Sequence, residues 1–256
     1  MTKIVFFDID GTLLDHNKQL PPKTKEAVRL LRDNGVYTAI ATGRAPFMFE
    51  DLREELDIHS FVSFNGQYVV FEGEVIYVNP LAAEALDRLK QYADQSGHPL
   101  VYMTEKVMKA NCSGDTYIEE SISSLKFPYP KVSPQFYKEN DLYQTLVFCE
   151  ESEESPYREQ FPEFSFIRWH PYSLDILPAG GSKAEGIKKM MERLRFETAE
   201  VYAFGDGLND IEMLELAGTG VAMGNALPPV KEIADMVTVD VDEDGIYLAL
   251  KELRLI

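Results

Sequence analysis

The sequence predicts an α/β protein whose parallel sheet is interrupted along the chain by an inserted α+β block. Three short apolar runs, at 4–7, 37–41 and 201–204, have the pattern of strands buried on both faces, which is typical of parallel sheets. An amphipathic helical pattern at 184–195 comes directly before the third run. The middle of the chain, 81–180, instead mixes helical patterns with strands that look antiparallel.

The first predicted unit is a strand, a helix and a second strand. The strand at 4–7 is followed by a helix predicted over 22–34, which has proline near its start and Gly35 where a left-handed cap belongs. The second strand, 37–41, follows after a short connection, so the unit is βαβ with a right-handed crossover. The next apolar stretch, 69–78, has a turn in its middle and predicts a hairpin.

The last part of the chain repeats this alternation. Helices are predicted over 184–195, 209–217, 228–236 and 246–253, with strands over 201–204 and 220–223. The inserted block is predicted to contain a helix over 82–93 and strands over 145–149, 164–169 and 174–177. Flanks that share one α/β pattern indicate one sheet, built from both ends of the chain.

The length indicates two domains. At roughly 150 residues per domain, 256 residues correspond to about 1.7 domains. We therefore predict a discontinuous core formed by 1–80 and 181–256, and an α+β domain formed by 81–180.

Charge and cysteine content narrow the class of function. Lys and Arg total 25 against 43 Asp and Glu, which gives a net charge of −18. Such a field repels phosphate backbones and anionic lipid, so we expect neither a nucleic-acid nor a membrane partner. The apolar run at 4–7 is too short for a signal peptide or a membrane span, and the two cysteines lack zinc-ligand spacing. These observations predict a cytoplasmic protein with free thiols.

Two carboxylates follow the first predicted strand, in the sequence Asp8-Ile9-Asp10-Gly11-Thr12. Ligands of open α/β sheets bind beyond the carboxyl ends of the strands, so the position suits a functional site. One carboxylate can attack as a nucleophile or hold a metal, while the other gives and takes a proton. Asp, Gly and Thr also favour simple turns, but four such residues at this position favour a site.

A second acidic group closes the strand at 201–204, in the sequence Asp206-Gly207-Leu208-Asn209-Asp210. Asp206 and Asp210 are four residues apart at a helix start, where Asp and Asn also serve as caps. Oxygen ligands without His or Cys favour a hard cation such as Mg²⁺. Together with Asp8 and Asp10, this group predicts a Mg²⁺ site.

Two further features suit an anion. Thr42-Gly43-Arg44 closes the second strand, where a hydroxyl and backbone N–H groups can bind phosphate oxygens. Lys183 begins the helix at 184–195, where its charge opposes the helix dipole and calls for an anionic partner. Taken singly, each has an ordinary alternative, a common Thr-Gly loop and a solvated surface lysine.

These motifs, in this order, resemble those of the haloacid dehalogenase superfamily. The chain is most similar to its Cof-type phosphatases, which insert a large α/β cap (type IIB) between the second and third motifs. The resemblance covers the whole chain and implies a Rossmann-like parallel-sheet core with the cap near 81–180.

The resemblance also implies roles for the two acidic groups. Asp8 would be the nucleophile, forming an aspartyl phosphate, and a Mg²⁺ ligand. Asp10 would be the general acid and base, with its backbone carbonyl on the metal, and Asp206 would bind Mg²⁺. Because several carboxylates lie together, we expect a raised pKa at Asp10, as an acid needs.

The remaining implied residues bind phosphate or support the site. The phosphate-binding residues would be Ile9, Thr42, Gly43, Lys183 and Asn209, and the supporting residues Arg44, Gly207 and Asp210. In the inserted block, Arg168, Trp169, His170 and Tyr172 could face the substrate, although such side chains are ordinary in strands. Asn65-Gly66 predicts a turn, and a role in substrate access is an open alternative.

The predicted activity is Mg²⁺-dependent hydrolysis of small phosphorylated metabolites, such as sugar phosphates or phosphorylated cofactors. A phosphotransferase or phosphomutase could use the same aspartyl phosphate, and the sequence does not decide between them. A phospho-accepting signalling module fits less well, because such modules are about half this length and lack the partner carboxylate at Asp10. The sequence leaves open whether the protein is a monomer or a homodimer.

Overall fold

Strands and helices alternate through residues 2–256, the part of the chain that this computed structural model describes. The first elements are β1 (Ile4–Phe7), α1 (Pro22–Asp33), β2 (Tyr37–Ala41), α2 (Glu50–Leu56), β3 (Ser60–Ser63), β4 (Tyr68–Phe71) and β5 (Glu74–Val78). The middle elements are α3 (Ala83–Ser96), β6 (Leu100–Met103), β7 (Met108–Ala110), α4 (Thr116–Ser124), α5 (Phe136–Glu139), β8 (Gln144–Phe148), α6 (Ser155–Gln160), β9 (Phe164–His170) and β10 (Ser173–Pro178). The last elements are α7 (Lys183–Leu194), β11 (Val201–Gly205), α8 (Ile211–Leu216), β12 (Thr219–Ala222), α9 (Pro228–Ile233), β13 (Met236–Val237) and α10 (Gly245–Glu252).

The predicted elements are confirmed, with shifted ends. The hairpin is β4 and β5, and the predicted helix over 209–217 begins instead with a 3₁₀ turn, Leu208–Asp210, before α8. Strands β3, β6, β7 and β13 were not predicted. Each has only two to four residues, which is too short for a clear alternation of apolar and polar side chains.

Contacts divide the chain into two compact units. The first comprises residues up to Arg44, Phe49–Val78 and Ser182–Ile256, and the second comprises Ala45–Met48 and Asn79–Gly181. The short segment Ala45–Met48 belongs to the second unit, in which the Phe47 ring meets the Phe127 ring edge-on.

The first unit contains an eight-stranded sheet in the order β13-β12-β11-β1-β2-β3-β4-β5. The strands from β13 to β3 are parallel, and β4 and β5 form an antiparallel hairpin at one edge. Strand β1 lies between β2 and β11, and Phe7 is level with Ile40 and Phe204. The residues after these three strands therefore emerge side by side at one edge of the sheet.

Helix α7 packs on one face of this sheet. Its buried residues Ile187 and Met190 join Ile4 and Phe6 of β1 in one hydrophobic cluster. The Ser182 hydroxyl caps the helix by accepting a hydrogen bond from the Glu185 backbone N–H. This cap and this packing fix the position of Lys183, the first residue of the helix.

The second unit contains a five-stranded sheet in the order β7-β6-β8-β10-β9. All of its strand pairs are antiparallel, as predicted for an α+β block. One face of the sheet packs against α3 and α6, through clustered residues that include Leu86, Leu89, Tyr157 and Phe161.

Helix length bears on membrane insertion. A helix needs about 20 apolar residues to cross a bilayer. Through residues 2–256, no helix is both long and apolar enough to do so.

Candidate active site

The carboxyl ends of three neighbouring strands bring the predicted motifs together. Asp8 follows β1, Thr42 follows β2, and Asp206 follows β11. Strand order reverses at β1, since the chain continues to β2 on one side and returns as β11 on the other. Such a reversal leaves a crevice at the strand ends, where ligands of this fold class bind.

The loop after β1 is folded tightly against Asp206. The Asp8 backbone N–H donates to the Phe204 carbonyl at 3.0 Å, and the Thr12 hydroxyl donates to Asp206 Oδ1 at 3.2 Å. Gly11 has φ +80°, and a Cβ there would lie 2.3 Å from Asp206 Oδ2. Only glycine fits this position, which explains its place in the motif.

Lys183 lies between two carboxylates. Its Nζ is 2.6 Å from Asp8 Oδ1 and 2.6 Å from Asp210 Oδ1. The side chain is 1% exposed, so the predicted anionic partner of this lysine is present within the protein. The other Asp210 oxygen accepts hydrogen bonds from the backbone N–H groups of Asp206 and Gly207, both at 2.9 Å.

Burial controls the charge state of this group. It raises the pKa of Asp8 to about 7, because the loss of hydration outweighs the attraction of Lys183. Burial also raises the pKa of Asp206 to about 6, with a contribution from the nearby Asp210 carboxylate. Burial opposes the charge of Lys183, but Asp210 and Asp8 outweigh it and raise the pKa of the lysine, which stays an ammonium.

The Asp10 carboxylate faces a different set of partners. Arg44 donates from Nε to Asp10 Oδ2 at 2.9 Å and from Nη2 to Oδ1 at 2.6 Å, and Lys18 Nζ lies 2.6 Å from Oδ1. Burial favours the neutral acid, but the Arg44 charge, its hydrogen bonds and Lys18 together lower the pKa of Asp10. The expected rise at Asp10 is therefore wrong for this structure, because two cations hold the carboxylate.

The loops after β2, β1 and β11 carry three of the predicted phosphate-binding residues, Thr42, Ile9 and Asn209. Thr42 is buried, and its Oγ1 accepts from the Arg44 backbone N–H at 3.1 Å. The Ile9 backbone N–H donates to the Asp8 carboxyl, and the Ile9 side chain is fully buried. Asn209 is exposed, and its Nδ2 donates to Asn65 Oδ1 at 3.4 Å.

The donor set fits a hard cation. Asp8, Asp206 and Asp210 each offer a carboxylate oxygen, and these oxygens lie within 4.8 Å of one another. No His or Cys belongs to this group, and oxygen-only donors suit Mg²⁺. Both Asp210 oxygens already accept hydrogen bonds, so Asp210 suits a supporting position better than direct ligation. The Asp10 carboxylate is outside this group.

Four residues of the site were missed or left open by sequence reasoning. They are Thr12, Lys18, Asn65 and Asn225. Asn225 Nδ2 donates to the Gly11 carbonyl at 2.8 Å and lies 3.4 Å from Asp206 Oδ2. Its place soon after β12, at the same sheet edge, was the signal that could have found it.

Arg168 of the second unit has a structural role. Its Nε donates to Glu154 Oε2 at 2.7 Å, and its Nη1 donates to the carbonyls of Cys149, His170 and Pro171. These bonds join β9 to neighbouring segments of the second unit.

Comparison with known proteins identifies the protein family in which this arrangement of residues occurs. A family model described as haloacid dehalogenase-like hydrolase matches residues 5–250. The chain belongs to this family, and the predicted family and fold class are confirmed.

Individual relatives span the whole chain. YkrA of Bacillus subtilis (strain 168), named as a candidate phosphatase, is 53% identical over 255 residues, which cover 100% of this chain and 99% of YkrA. The crystal structure of a hypothetical protein from Geobacillus kaustophilus HTA426 has 59% identity and a TM-score of 0.97, with 100% of both chains covered. The sugar phosphatase BT4131, of subclass IIB of the superfamily, has 32% identity and a TM-score of 0.84, again over 100% of both chains.

Proposed function

We propose that the protein is a Mg²⁺-dependent phosphatase of small phosphorylated metabolites that works through an aspartyl phosphate on Asp8. As a member of this hydrolase family with phosphatase relatives, the chain is a phosphoric monoester hydrolase. The observation that carries the finer proposal is the meeting of Asp8, Lys183 and Asp206 at the carboxyl ends of β1 and β11.

In the first step, an Asp8 carboxylate oxygen attacks phosphorus, and the bond from phosphorus to the leaving oxygen breaks. Lys183 donates to Asp8 Oδ1 at 2.6 Å, so the nucleophile is held in one orientation. The Lys183 charge, the Thr42 hydroxyl and the backbone N–H groups of Ile9 and Gly43 would stabilise the equatorial oxygens.

Asp10 would move the protons. It would protonate the leaving oxygen, then take a proton from the water that attacks phosphorus and releases inorganic phosphate from Asp8. Its ion pairs with Arg44 and Lys18 favour the carboxylate, which is the form needed for the second step. The first step needs the acid form, and loosening of either ion pair on substrate binding would raise the pKa of Asp10.

Asp8, Asp206 and the Asp10 backbone carbonyl would hold the cation. Bound Mg²⁺ would supply positive charge to the phosphoryl oxygens and favour the ionised form of the carboxylates. Thr12 and Asn225 hold Asp206 from two sides, and Asp210 holds the backbone that carries it.

We further propose that the first unit is the catalytic core and that the second unit, near 81–180, is a cap that recognises the organic part of the substrate. The 32% identity with the sugar phosphatase BT4131 supports a small phosphorylated sugar as substrate. A cytoplasmic location remains a prediction from the sequence, as does the choice between monomer and homodimer.

The test combines a substrate panel with two variants. Purified protein is assayed with para-nitrophenyl phosphate and a panel of phosphorylated metabolites, with EDTA and after addition of Mg²⁺. We expect turnover only with Mg²⁺, and a loss of at least about 1,000-fold for Asp8→Asn because the nucleophile is removed. The control is Asp33→Asn, a surface carboxylate of α1 paired with Arg29, which should keep full activity.

Trapping the intermediate completes the test. Rapid acid quench and peptide mass analysis should find one phosphoryl group on the peptide that contains Asp8 and none in Asp8→Asn. Substantial turnover by a pure Asp8→Asn sample would contradict the role of Asp8. A phosphoprotein that persists for many minutes with Mg²⁺ would instead favour the signalling alternative.

A further inference from the structure

The turn between β3 and β4 has an unusual backbone. Phe64, Asn65 and Gly66 all have positive φ, at 51°, 49° and 99°. Residues other than glycine adopt this region at a cost, and Asn does so more easily than most. All three residues are buried in the first unit, and such strain often marks a functional position.

This turn contacts the loop that follows β2. The Asn65 backbone N–H donates to the Thr42 carbonyl at 3.1 Å, and the Phe64 N–H donates to the Arg44 carbonyl at 3.3 Å. A Cβ built on Gly43 would lie 3.1 Å from Asn65 Nδ2, so the Asn65 amide packs directly on this glycine.

The same turn braces the start of α7. A Cβ on Gly66 would lie 2.1 Å from the Ser182 carbonyl oxygen, so the turn and the residue before Lys183 are in close backbone contact. The turn therefore joins two of the segments that carry proposed phosphate-binding groups.

The Asn65 side chain reaches a third segment. It is 7% exposed, and its Oδ1 accepts a hydrogen bond from Asn209 Nδ2 at 3.4 Å. Asn209 itself is exposed, and an exposed amide side chain can rotate among several positions. The contact with the buried and strained Asn65 limits that rotation.

We infer that Asn65 is a positioning residue, which orients the Asn209 amide toward the phosphate site and supports the Gly43 backbone beside it. This inference rests on the proposed function, because Asn209 and Gly43 bind phosphate only if the site does. An asparagine suits the position for two reasons. It tolerates positive φ, and its amide offers both an acceptor for Asn209 and an uncharged edge beside an anion.

The main variant is Asn65→Gly. Glycine accepts the positive φ, so the backbone of the turn is retained while the amide is removed. The probe is inorganic phosphate, titrated calorimetrically into protein saturated with Mg²⁺. We expect the phosphate dissociation constant to rise about tenfold, and the affinity for Mg²⁺ alone to change less than about twofold. Asn140→Gly, at an exposed asparagine of the second unit, is the matched control and should change neither value.

A double-mutant cycle separates positioning from general damage. If Asn65 acts through Asn209, the losses of Asn65→Gly and Asn209→Ala should not multiply, and the double variant should bind phosphate nearly as well as Asn209→Ala alone. Losses that multiply, or unchanged phosphate affinity in Asn65→Gly, would overturn the role of Asn65. A wild-type protein that neither binds phosphate nor hydrolyses any phosphomonoester would overturn the proposed function itself.

Discussion

Lys183 carries its charge in the interior of the first unit, between the carboxylates of Asp8 and Asp210. A buried ion pair contributes little net stability, but removing one partner leaves the others without compensation. Lys183 therefore links folding to the proposed function, since the same ammonium contacts the proposed nucleophile Asp8 and neutralises two buried carboxylates.

Lys183→Met should destabilise the protein by about 3–5 kcal/mol, because Asp8 and Asp210 would lose their shared cation. Thermal denaturation at pH 7.5 measures this loss. Lys189→Met is the control, since Lys189 lies on the same helix with a 39% exposed side chain that pairs with Glu192 and lies over the Tyr77 ring. Equal unfolding midpoints for the two variants would contradict a structural role for Lys183.

The sequence predicted the position of Asp10 but not the ionisation state of its carboxyl group. The motif predicted its position correctly, but its ionisation depends on Arg44 and Lys18. Lys18 lies in the loop after β1 with φ 60°, and no local pattern indicates that its side chain turns back to Asp10. Because charge states depend on such contacts, the ionisation of Asp10 could be derived only from the structure.

At the scale of elements, helix α7 depends on a glycine that helix propensity disfavours. Gly186 lies inside α7, where a Cβ would be 2.4 Å from Val62 Cγ1 and 2.8 Å from the Gly66 Cα. The helix thus approaches β3 and the 64–66 turn more closely than a residue with a side chain at position 186 would allow. This close approach sets the distance between Lys183 and the sheet edge.

Gly186→Ala should destabilise the protein by about 1–3 kcal/mol, although alanine in a helix interior normally gains about 1 kcal/mol. Urea denaturation measures the change in the free energy of unfolding. Glu192→Ala, at a 67% exposed side chain of the same helix, should have little effect. A stabilised Gly186→Ala variant would show that the contact with Val62 relaxes freely.

The sheet of the second unit contains a partly buried acid, Asp175 in β10. Loss of hydration raises the pKa of Asp175 to about 7, and the neighbouring polar side chain of Gln144 only partly offsets that rise. The folded protein therefore binds a proton that the unfolded chain has released, between about pH 4 and pH 7. Stability should fall as the pH rises through this window, and the loss should be complete above about pH 7.

Asp175→Asn should remove this loss. We expect its thermal midpoint to exceed that of the wild type at pH 8, with a gain of up to about 4 kcal/mol, and to match it near pH 4.5. Gln144 Oε1 has no partner within the described residues, so the Gln144 amide can turn to accept from the new side chain. Asp141→Asn, at an exposed aspartate of the same unit, controls for the charge change. Identical pH profiles for wild type and Asp175→Asn would contradict the raised pKa.

Elements also differ in how far the sequence predicts them. The strands that end in Asp8 and Asp206 are continuous apolar runs, so both the strands and the acidic edge were predictable. The order of the sheet, with β11 beside β1, follows from contacts between distant segments. The position of Asn65 depends on the strained turn after β3, for which Asn-Gly indicated only a bend.

At the scale of the whole molecule, the net charge of −18 opposes the approach of an anionic substrate. The charges at the site are more balanced, since Lys183, Arg44 and Lys18 lie among its carboxylates. The long-range field therefore acts on the rate of encounter, whereas the local cations would act on a phosphate held in the proposed site.

Raising the ionic strength from about 20 mM to about 150 mM should increase kcat/KM by roughly twofold for a dianionic phosphomonoester, because salt screens the distant charges more than the close ones. Steady-state kinetics at saturating Mg²⁺ measure this change, and kcat should stay constant. A fall in kcat/KM with salt would show that the cations of the site dominate the encounter.

The division of the first unit along the chain has a consequence for biosynthesis. Strand β1 pairs with β11 in the register Ile4 with Val201, so one side of β1 stays open until nearly two hundred further residues have been made. During translation, an apolar strand with a free edge is prone to pairing with other chains. Strands β1 to β5 are therefore made before their neighbour β11. The segment after residue 182 then supplies the missing strand together with Lys183 and Asp206. A ribosome-bound chain that ends before β11 lacks Asp206 and the acidic group that follows it, so the candidate site can form only after β11 has been made.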